Sequence, residues 1–218
     1  MADIHCDVAI VGLGLSGLSS AWQLTKAGVK VVGFEKFAYS GAIGTSSAGY
    51  TRVIRIASTD PELQEHAVTD FKEWRDLEKL SGKKIINMTG GVSLGRRGFP
   101  QMDYLLKNSV AKGDQVLSAE ELMKKYPALK LASNYCGIVT EDMGFVDTKN
   151  ALYSLRTESE KRGAVFHYEC EVTKMDEETK KFVIDTPSGV KTVNYNTLVM
   201  ATGPYTPNFK QEKGAEPI

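Results

Sequence analysis

Near the start of the chain, Gly12-Leu13-Gly14-Leu15-Ser16-Gly17 carries the spacing that brings a phosphate against bare backbone. In such a run the first glycine permits a tight turn and the second lets the main chain approach a pyrophosphate. The third lets the following helix pack close to the preceding strand. Free N–H groups at the helix start, with the positive end of the helix dipole, then face the anion. Glu35 stands 18 residues beyond Gly17, where a carboxylate can accept hydrogen bonds from both hydroxyls of a ribose. The same charge would repel a 2′-phosphate, which argues against NADP. A Gly-x-Gly-x-x-Gly run alone is weak, because glycines are common and a glycine-rich turn needs no ligand. Its value depends on the elements around it.

Those elements are legible. Asp7 to Val11 (DVAIV) is apolar and β-branched, the pattern of a strand buried on both faces of a parallel sheet. Leu18, Ala21, Leu24 and Ala27 recur at helical spacing, and Gly28 is placed to end that helix. Val29 to Phe34 reads as a second strand, completing a βαβ unit with a right-handed crossover. Residues 38–50 are rich in Gly, Ser and Ala and read as a loop before the short segment Thr51 to Arg55. Asp60 and Pro61 open a helix to Leu80, with Phe71, Trp74, Leu77 and Leu80 as its core stripe. Val92 to Leu94 reads as a strand, and Ser118-x-x-Glu121 as a capping box for a helix that stops before Pro127. Phe145-Val146 is a short strand before a helix running from Asp147 or Thr148 to about Arg162. Short strands then follow at Ala164–His167, Glu171–Met175, Lys181–Asp185 and Lys191–Val193. A buried strand over Leu198–Ala201 is broken by Thr202-Gly203-Pro204.

Composition removes several function classes. Lys plus Arg and Asp plus Glu are both 27, and a balanced charge argues against nucleic acid as partner. Hydrophobic residues at 42% allow a sizeable core. Cys6, Cys136 and Cys170 form no CxxC pair, and His5, His66 and His167 have no metal-ligand spacing. No metal is expected, and free thiols suit a reducing compartment. Glu141-Asp142 is read as a turn rather than a ligand pair. No apolar run approaches the roughly 18 residues of a membrane span. Met1 to Asp7 does not read as a secretory signal, and Glu216-Pro217-Ile218 is not a peroxisomal address. The expected compartment is the cytoplasm.

FAD and NAD both use such a phosphate cradle, and the motif does not choose between them. Nicotinamide enzymes of this fold continue with regular βαβ units. This chain instead leaves the sheet for more than a hundred residues and returns with antiparallel strands and Ala201-Thr202-Gly203. An NAD-linked enzyme remains a third reading, with NAD(H) retention and no flavin absorbance as its signature.

The chain resembles the D-amino-acid-oxidase-like flavoproteins, and within them the sarcosine oxidase and pipecolate oxidase subgroup. The matching residues are Asp7 to Gly17, Glu35-Lys36-Phe37, Ser46 with Thr51-Arg52-Val53-Ile54-Arg55, Thr89-Gly90-Gly91 and Ala201-Thr202-Gly203-Pro204. The resemblance implies an α/β fold: a Rossmann-like FAD-binding domain with a parallel sheet and an antiparallel β-meander, plus part of a second, substrate-side subdomain. The expected division is 1–85 and 145–210 for the FAD domain, 86–144 for the partial subdomain and 211–218 for a tail. The implied activity is oxidation of the C–N bond of a secondary or N-methyl amino acid, with O₂ as acceptor. Gly12, Gly14, Ser16 and Gly17 would hold the pyrophosphate, and Glu35 the ribose. Lys36 would lie beside the adenine, with the backbone of Val172 meeting it. Ser46, Thr51 and Arg52 would approach the flavin, Ala201, Thr202 and Gly203 would line the cleft, and Tyr205 would stand near it.

Arg55 would pair with a substrate carboxylate. Taken alone, Arg52 and Arg55 are ordinary surface arginines. The resemblance makes Arg52 a stabiliser of negative charge near flavin N1, and makes Arg55 a bidentate grip that orients the donor carbon.

Two departures shape the expectations. Ser47 and Ala48 stand where family members commonly carry histidine. Relatives run to nearly twice this length, and none of the three cysteines stands at the position of the flavin-tethering cysteine, so FAD is expected to bind non-covalently. The alternative is a non-catalytic FAD- or ADP-binding fragment, with self-association through the surface that the other half would cover. A peroxisomal location is possible by family.

Overall fold

A computed structural model describes residues 3–56, 58 and 60–209, the last three by backbone alone. The expected tail at 211–218 lies outside them. In chain order the elements are β1 (Ile4–Val11), α1 (Leu15–Lys26), β2 (Val31–Phe34), β3 (Thr51–Arg55), α2 (Pro61–Ser81), β4 (Ile86–Met88), β5 (Gly91–Arg96), α3 (Pro100–Asn108) and β6 (Gln115–Ser118). They continue with α4 (Ala119–Lys125), β7 (Tyr135–Thr140), β8 (Met143–Asp147), α5 (Thr148–Glu160), β9 (Val165–His167), β10 (Glu171–Asp176), β11 (Lys181–Thr186) and β12 (Gly189–Met200). A 3-10 turn spans Gly203–Phe209.

The chain forms two compact units: 1–50 with 80–83 and 148–218, and 51–79 with 84–147. This differs from the division read at 85 and 145. β3 hydrogen-bonds to β8, and β8 to β4, so 51–79 and 145–147 belong to the second unit.

In the first unit six strands run in the order β10-β11-β12-β1-β2-β9. β12, β1, β2 and β9 are parallel, as a βαβ crossover requires, while β10, β11 and β12 form an antiparallel meander on the same sheet. β1 buries Val8 to Val11, and α1 packs against α5, β1 and β2. Ala9 and Val11 of β1 join Phe34, Val172, Phe182, Ile184, Val193 and Tyr195 in one core cluster. Phe34 sits at its centre, stacked on His167 at 5.4 Å and edge-on to Phe182 at 5.2 Å. Each such buried aromatic contributes about 1.5–3 kcal/mol.

β12 corrects the sequence reading. Lys191–Val193 and Leu198–Met200 are parts of a single 12-residue strand, which ends before Ala201. Its first half pairs with β11 and its second half with β1, so Asn194 and Asn196 are held in the ladder instead of turning. Asn196 Nδ2 also donates to Asp7 Oδ1 at 3.2 Å. The end of the strand is only half-buried, with Met200 36% exposed, rather than fully covered.

The second unit holds two three-stranded antiparallel sheets, β3-β8-β4 and β5-β7-β6. The Ser118–Glu121 capping box forms as read, and the Asp60 carboxylate accepts from the Glu62 and Leu63 amides at the start of α2. On α2 only Leu77 of the apolar stripe is fully buried, and Leu80 is exposed. Glu78 ties α2 to β4: its carboxylate accepts from Arg75 Nη1 at 2.6 Å and from the Ile85 and Ile86 amides at 2.7 and 2.8 Å.

Burial pushes the Glu78 pKa up, but the Arg75 side chain and the two amides outweigh it and hold the carboxyl below its usual 4.5. A depressed folded pKa adds stability that is fully present above the unfolded pKa and lost as pH falls through the folded value. Glu78→Ala is therefore expected to cost about 1–3 kcal/mol at pH 7. The gap from the parent should narrow below about pH 4, as urea unfolding at the two pH values would measure.

Candidate functional site

The site begins where β1 ends. Gly12 turns the chain at φ +93°, and a Cβ there would overlap the Ala201 carbonyl. Gly17 packs so closely that a Cβ would overlap the Gly12 carbonyl oxygen and lie 3.4 Å from Ala201 Cβ. Only glycine at both positions lets the start of α1 lie against the β1 turn and the end of β12. A Cβ at Gly14 would lie 3.1 Å from Ser47 Oγ, so the loop and the glycine turn meet at close range. The amides of Gly14, Ser16 and Gly17 have no acceptor among the described residues. That leaves donors for an anion at a helix start.

Glu35 follows β2 and is 7% exposed. Its Oε2 accepts from the Leu13 amide at 2.8 Å, inside the glycine turn, and its Oε1 accepts from the Phe37 amide at 3.2 Å. A carboxylate has about four lone-pair sites, so two such bonds leave acceptor capacity for a ligand. The backbone around Glu35 is pinned from the β9–β10 side: its N–H donates to His167 O, and its carbonyl accepts from Cys170 N, both at 2.8 Å. Burial, with the Lys191 charge, holds His167 below the usual imidazole value of 6.5, and its role is packing on Phe34. Burial likewise raises the Cys170 thiol, with Lys191 opposing and Glu169 adding to the rise.

Around these groups lies a cleft of about 800 Å³ within the first unit. Gly12, Gly14, Ser16, Glu35, Lys36, Ser46, Val172, Ala201, Thr202, Gly203 and Tyr205 all line it. Gly17 lies behind the turn. At Val172 the β10–β11 register shifts before Lys174, a bulge that bends the strand where it borders the cleft. Lys36 Nζ is 3.2 Å from Glu171 Oε1 and 4.5 Å from the centre of the Tyr205 ring. Tyr205 in turn faces Phe37 at 6.2 Å between ring centres.

Thr51, Arg52 and Arg55 belong to β3 of the second unit. Arg52 is half-buried and its Nη1 donates to the Thr51 carbonyl at 2.6 Å, while Arg55 is exposed. Three positions apart on a strand, the two arginines leave it on opposite faces. Glu141 and Asp142 lie in the bend between β7 and β8, and no group of three metal-ligating residues occurs among the described residues.

Sequence reasoning did not place Ser47, Phe37, Cys170, Glu171 or Thr173 at the cleft, yet all line it. The Gly/Ser-rich loop was a signal for Ser47. Glu171 and Thr173 follow from the register of β10, and Phe37 and Cys170 from the segments flanking β2 and β10, neither of which the sequence displays.

The family model described as FAD dependent oxidoreductase (DAO) matches residues 7–218. The chain belongs to that family. It is 28% identical over 205 residues to monomeric sarcosine oxidase of Bacillus sp. (strain B-0618), covering 91% of this chain and 51% of that protein. It is 23% identical over 212 residues to human peroxisomal sarcosine oxidase, covering 96% of this chain and 53% of that one. Among solved structures, NikD, an unusual amino acid oxidase essential for nikkomycin biosynthesis, superposes with a TM-score of 0.76 at 25% identity, covering 93% of this chain and 52% of NikD. Glycine oxidase from Geobacillus kaustophilus shares the fold with a TM-score of 0.71 at 23% identity. The chain thus spans about half the length of the relatives it matches. No helix among the described residues is long and apolar enough to cross a membrane.

Proposed function

We propose that this chain holds FAD non-covalently in the first-unit cleft and serves the oxidation of the C–N bond of a secondary or N-methyl amino acid, with dioxygen as electron acceptor. The observation that carries the reading is the Leu13–Glu35 hydrogen bond of 2.8 Å, which joins the phosphate turn to the ribose acid in one wall of the cleft. The residues fit the group: glycines at Gly12 and Gly17 where a Cβ would overlap backbone, unpaired amides at the helix start, and a carboxylate with acceptor capacity left over.

In this reading Gly14 and Ser16 offer their N–H groups to the pyrophosphate, and Glu35 accepts from the ribose hydroxyls. Lys36 and Val172 border the adenine. Ala201, Thr202, Gly203 and Tyr205 line the cleft beside them, with Ser46 and Thr51 toward the flavin. When bound, the flavin accepts the electron pair released as the amine C–N bond is oxidised. Arg52 supplies a fixed positive charge near the flavin, and Arg55 orients the substrate by its carboxylate. The sarcosine oxidases among the relatives support the substrate class. Free Cys6, Cys136 and Cys170 suit a reducing compartment, and we place the chain in the cytoplasm.

The test is an absorbance spectrum of freshly purified protein, followed by acid precipitation. Flavin bands are expected, with the yellow colour passing wholly into the supernatant. Colour retained on the precipitate would contradict non-covalent binding, and a nicotinamide spectrum would contradict FAD.

A further inference from the structure

Ser47 was not among the residues read as cofactor contacts, yet it makes the direct link between the 38–50 loop and the glycine turn. The Leu15 amide donates to Ser47 Oγ at 2.9 Å, so this hydroxyl caps the first residue of α1. Gly14, the N-cap residue of α1, makes no side-chain capping bond, and a loop residue does the capping from 32 positions away. The loop is shaped to deliver it. Ala42 is 5% exposed, and its carbonyl accepts from Thr45 Oγ1 at 2.8 Å and from the Thr45 amide at 3.2 Å. Gly41 turns at φ +78°, with Leu152 and the Ser47 carbonyl so near that a Cβ would be crowded by both. The segment 41–47 is therefore a tight turn anchored at its base by Ala42 and at its tip by Ser47.

A serine hydroxyl has one hydrogen to donate and two lone pairs. The Leu15 amide uses one lone pair, and the donor is not engaged by any described residue. Ser47 lines the cleft beside Gly14 and Ser16, whose amides also lack acceptors among the described residues. Three donors without a described acceptor thus belong to residues lining the same cleft.

We propose that Ser47 is a positioning residue for the cofactor's pyrophosphate: it fixes the 41–47 turn as a wall of the cleft and directs its O–H to a phosphate oxygen. This inference rests on the FAD reading given above. A phosphate bound there ties the loop to the helix start, so filling the cleft and ordering the loop become one event.

The test compares ADP with adenosine, which lacks phosphate, on wild type, Ser47→Ala and Ser47→Thr. Calorimetry or ligand-observed NMR supplies affinity, and hydrogen exchange over 41–48 supplies loop order. Removing a hydrogen bond to a charged group weakens ADP about tenfold or more. Adenosine should stay within about twofold. The 41–48 amides should exchange faster in Ser47→Ala, and ADP should slow them in wild type. Ser47→Thr, which keeps the hydroxyl, should restore ADP affinity. Wild-type ADP affinity in Ser47→Ala, or equal losses for ADP and adenosine, would overturn the positioning role and leave the FAD reading standing. If wild type bound neither ligand, the FAD reading would fail first and take this one with it.

Discussion

Glu35→Ala should abolish measurable FAD binding and cost the fold about 1–3 kcal/mol. Both effects come from one side chain with two duties. Leu13 is fully buried, and its amide has the Glu35 carboxylate as its acceptor at 2.8 Å. Removing the carboxylate leaves that N–H without a partner, and an unsatisfied buried donor carries the full desolvation penalty. The same truncation removes the acceptor proposed for the ribose. Glu35→Gln separates the two. A carboxamide keeps one oxygen for Leu13, so most stability should be retained. Its NH₂ cannot accept, and it faces either the Phe37 amide or the ribose hydroxyls. FAD affinity should then fall about 10- to 100-fold, the range for a lost hydrogen bond to a charged group. Titration of both variants with FAD, alongside urea unfolding, measures the split. Equal affinity in Glu35→Gln and wild type would remove the ribose from the role of Glu35.

Gly12→Ala should be more damaging to the fold than the conformational penalty alone explains. Gly12 and Gly28 both sit at positive φ, +93° and +80°. An L-residue in that region costs about 1–2 kcal/mol. A Cβ on Gly28 meets nothing within 4 Å, whereas one on Gly12 overlaps the Ala201 carbonyl. The overlap adds about 1–3 kcal/mol, because backbone must shift to make room. Chemical denaturation of Gly12→Ala and Gly28→Ala therefore reads the close approach of β1 to the end of β12 as a difference between two alanines. Comparable destabilisation in the two variants would show that the turn tolerates a side chain, and the backbone cradle would lose its reason for glycine.

The parts of this fold that announced themselves in the sequence are those with local causes. The β-branched run at Val8 to Val11, the helical spacing in α1 and the capping box at Ser118 each fix their own backbone. Glu35 could be placed because the βαβ unit is short and its ends are set by turn residues. The misses have non-local causes. α3 opens on Pro100 but has no capping side chain at Phe99, and it is held instead by tertiary packing, with Met102 buried against Cys136 and Ile138 of β7. β7 carries Gly137 at its middle, a weak strand residue, kept where a Cβ would press on Val92 and Leu94 of β5. The segments read separately at 191–193 and 198–201 are joined through Asn194 and Asn196, and the strand continues through them because β1 and β11 divide its ladder. In the cleft, the glycines and Glu35 came from motif spacing. Ser47 and the β10 residues depend on which segments fold beside the turn, which no spacing within 12–17 encodes.

Calorimetric titration of the purified apo chain with FAD bears most directly on the whole account. One site should fill, with heat evolved and a raised unfolding temperature, and ADP should compete for it. An absence of heat and of thermal protection with both ligands, from a chain that is folded, would contradict the assignment of the cleft.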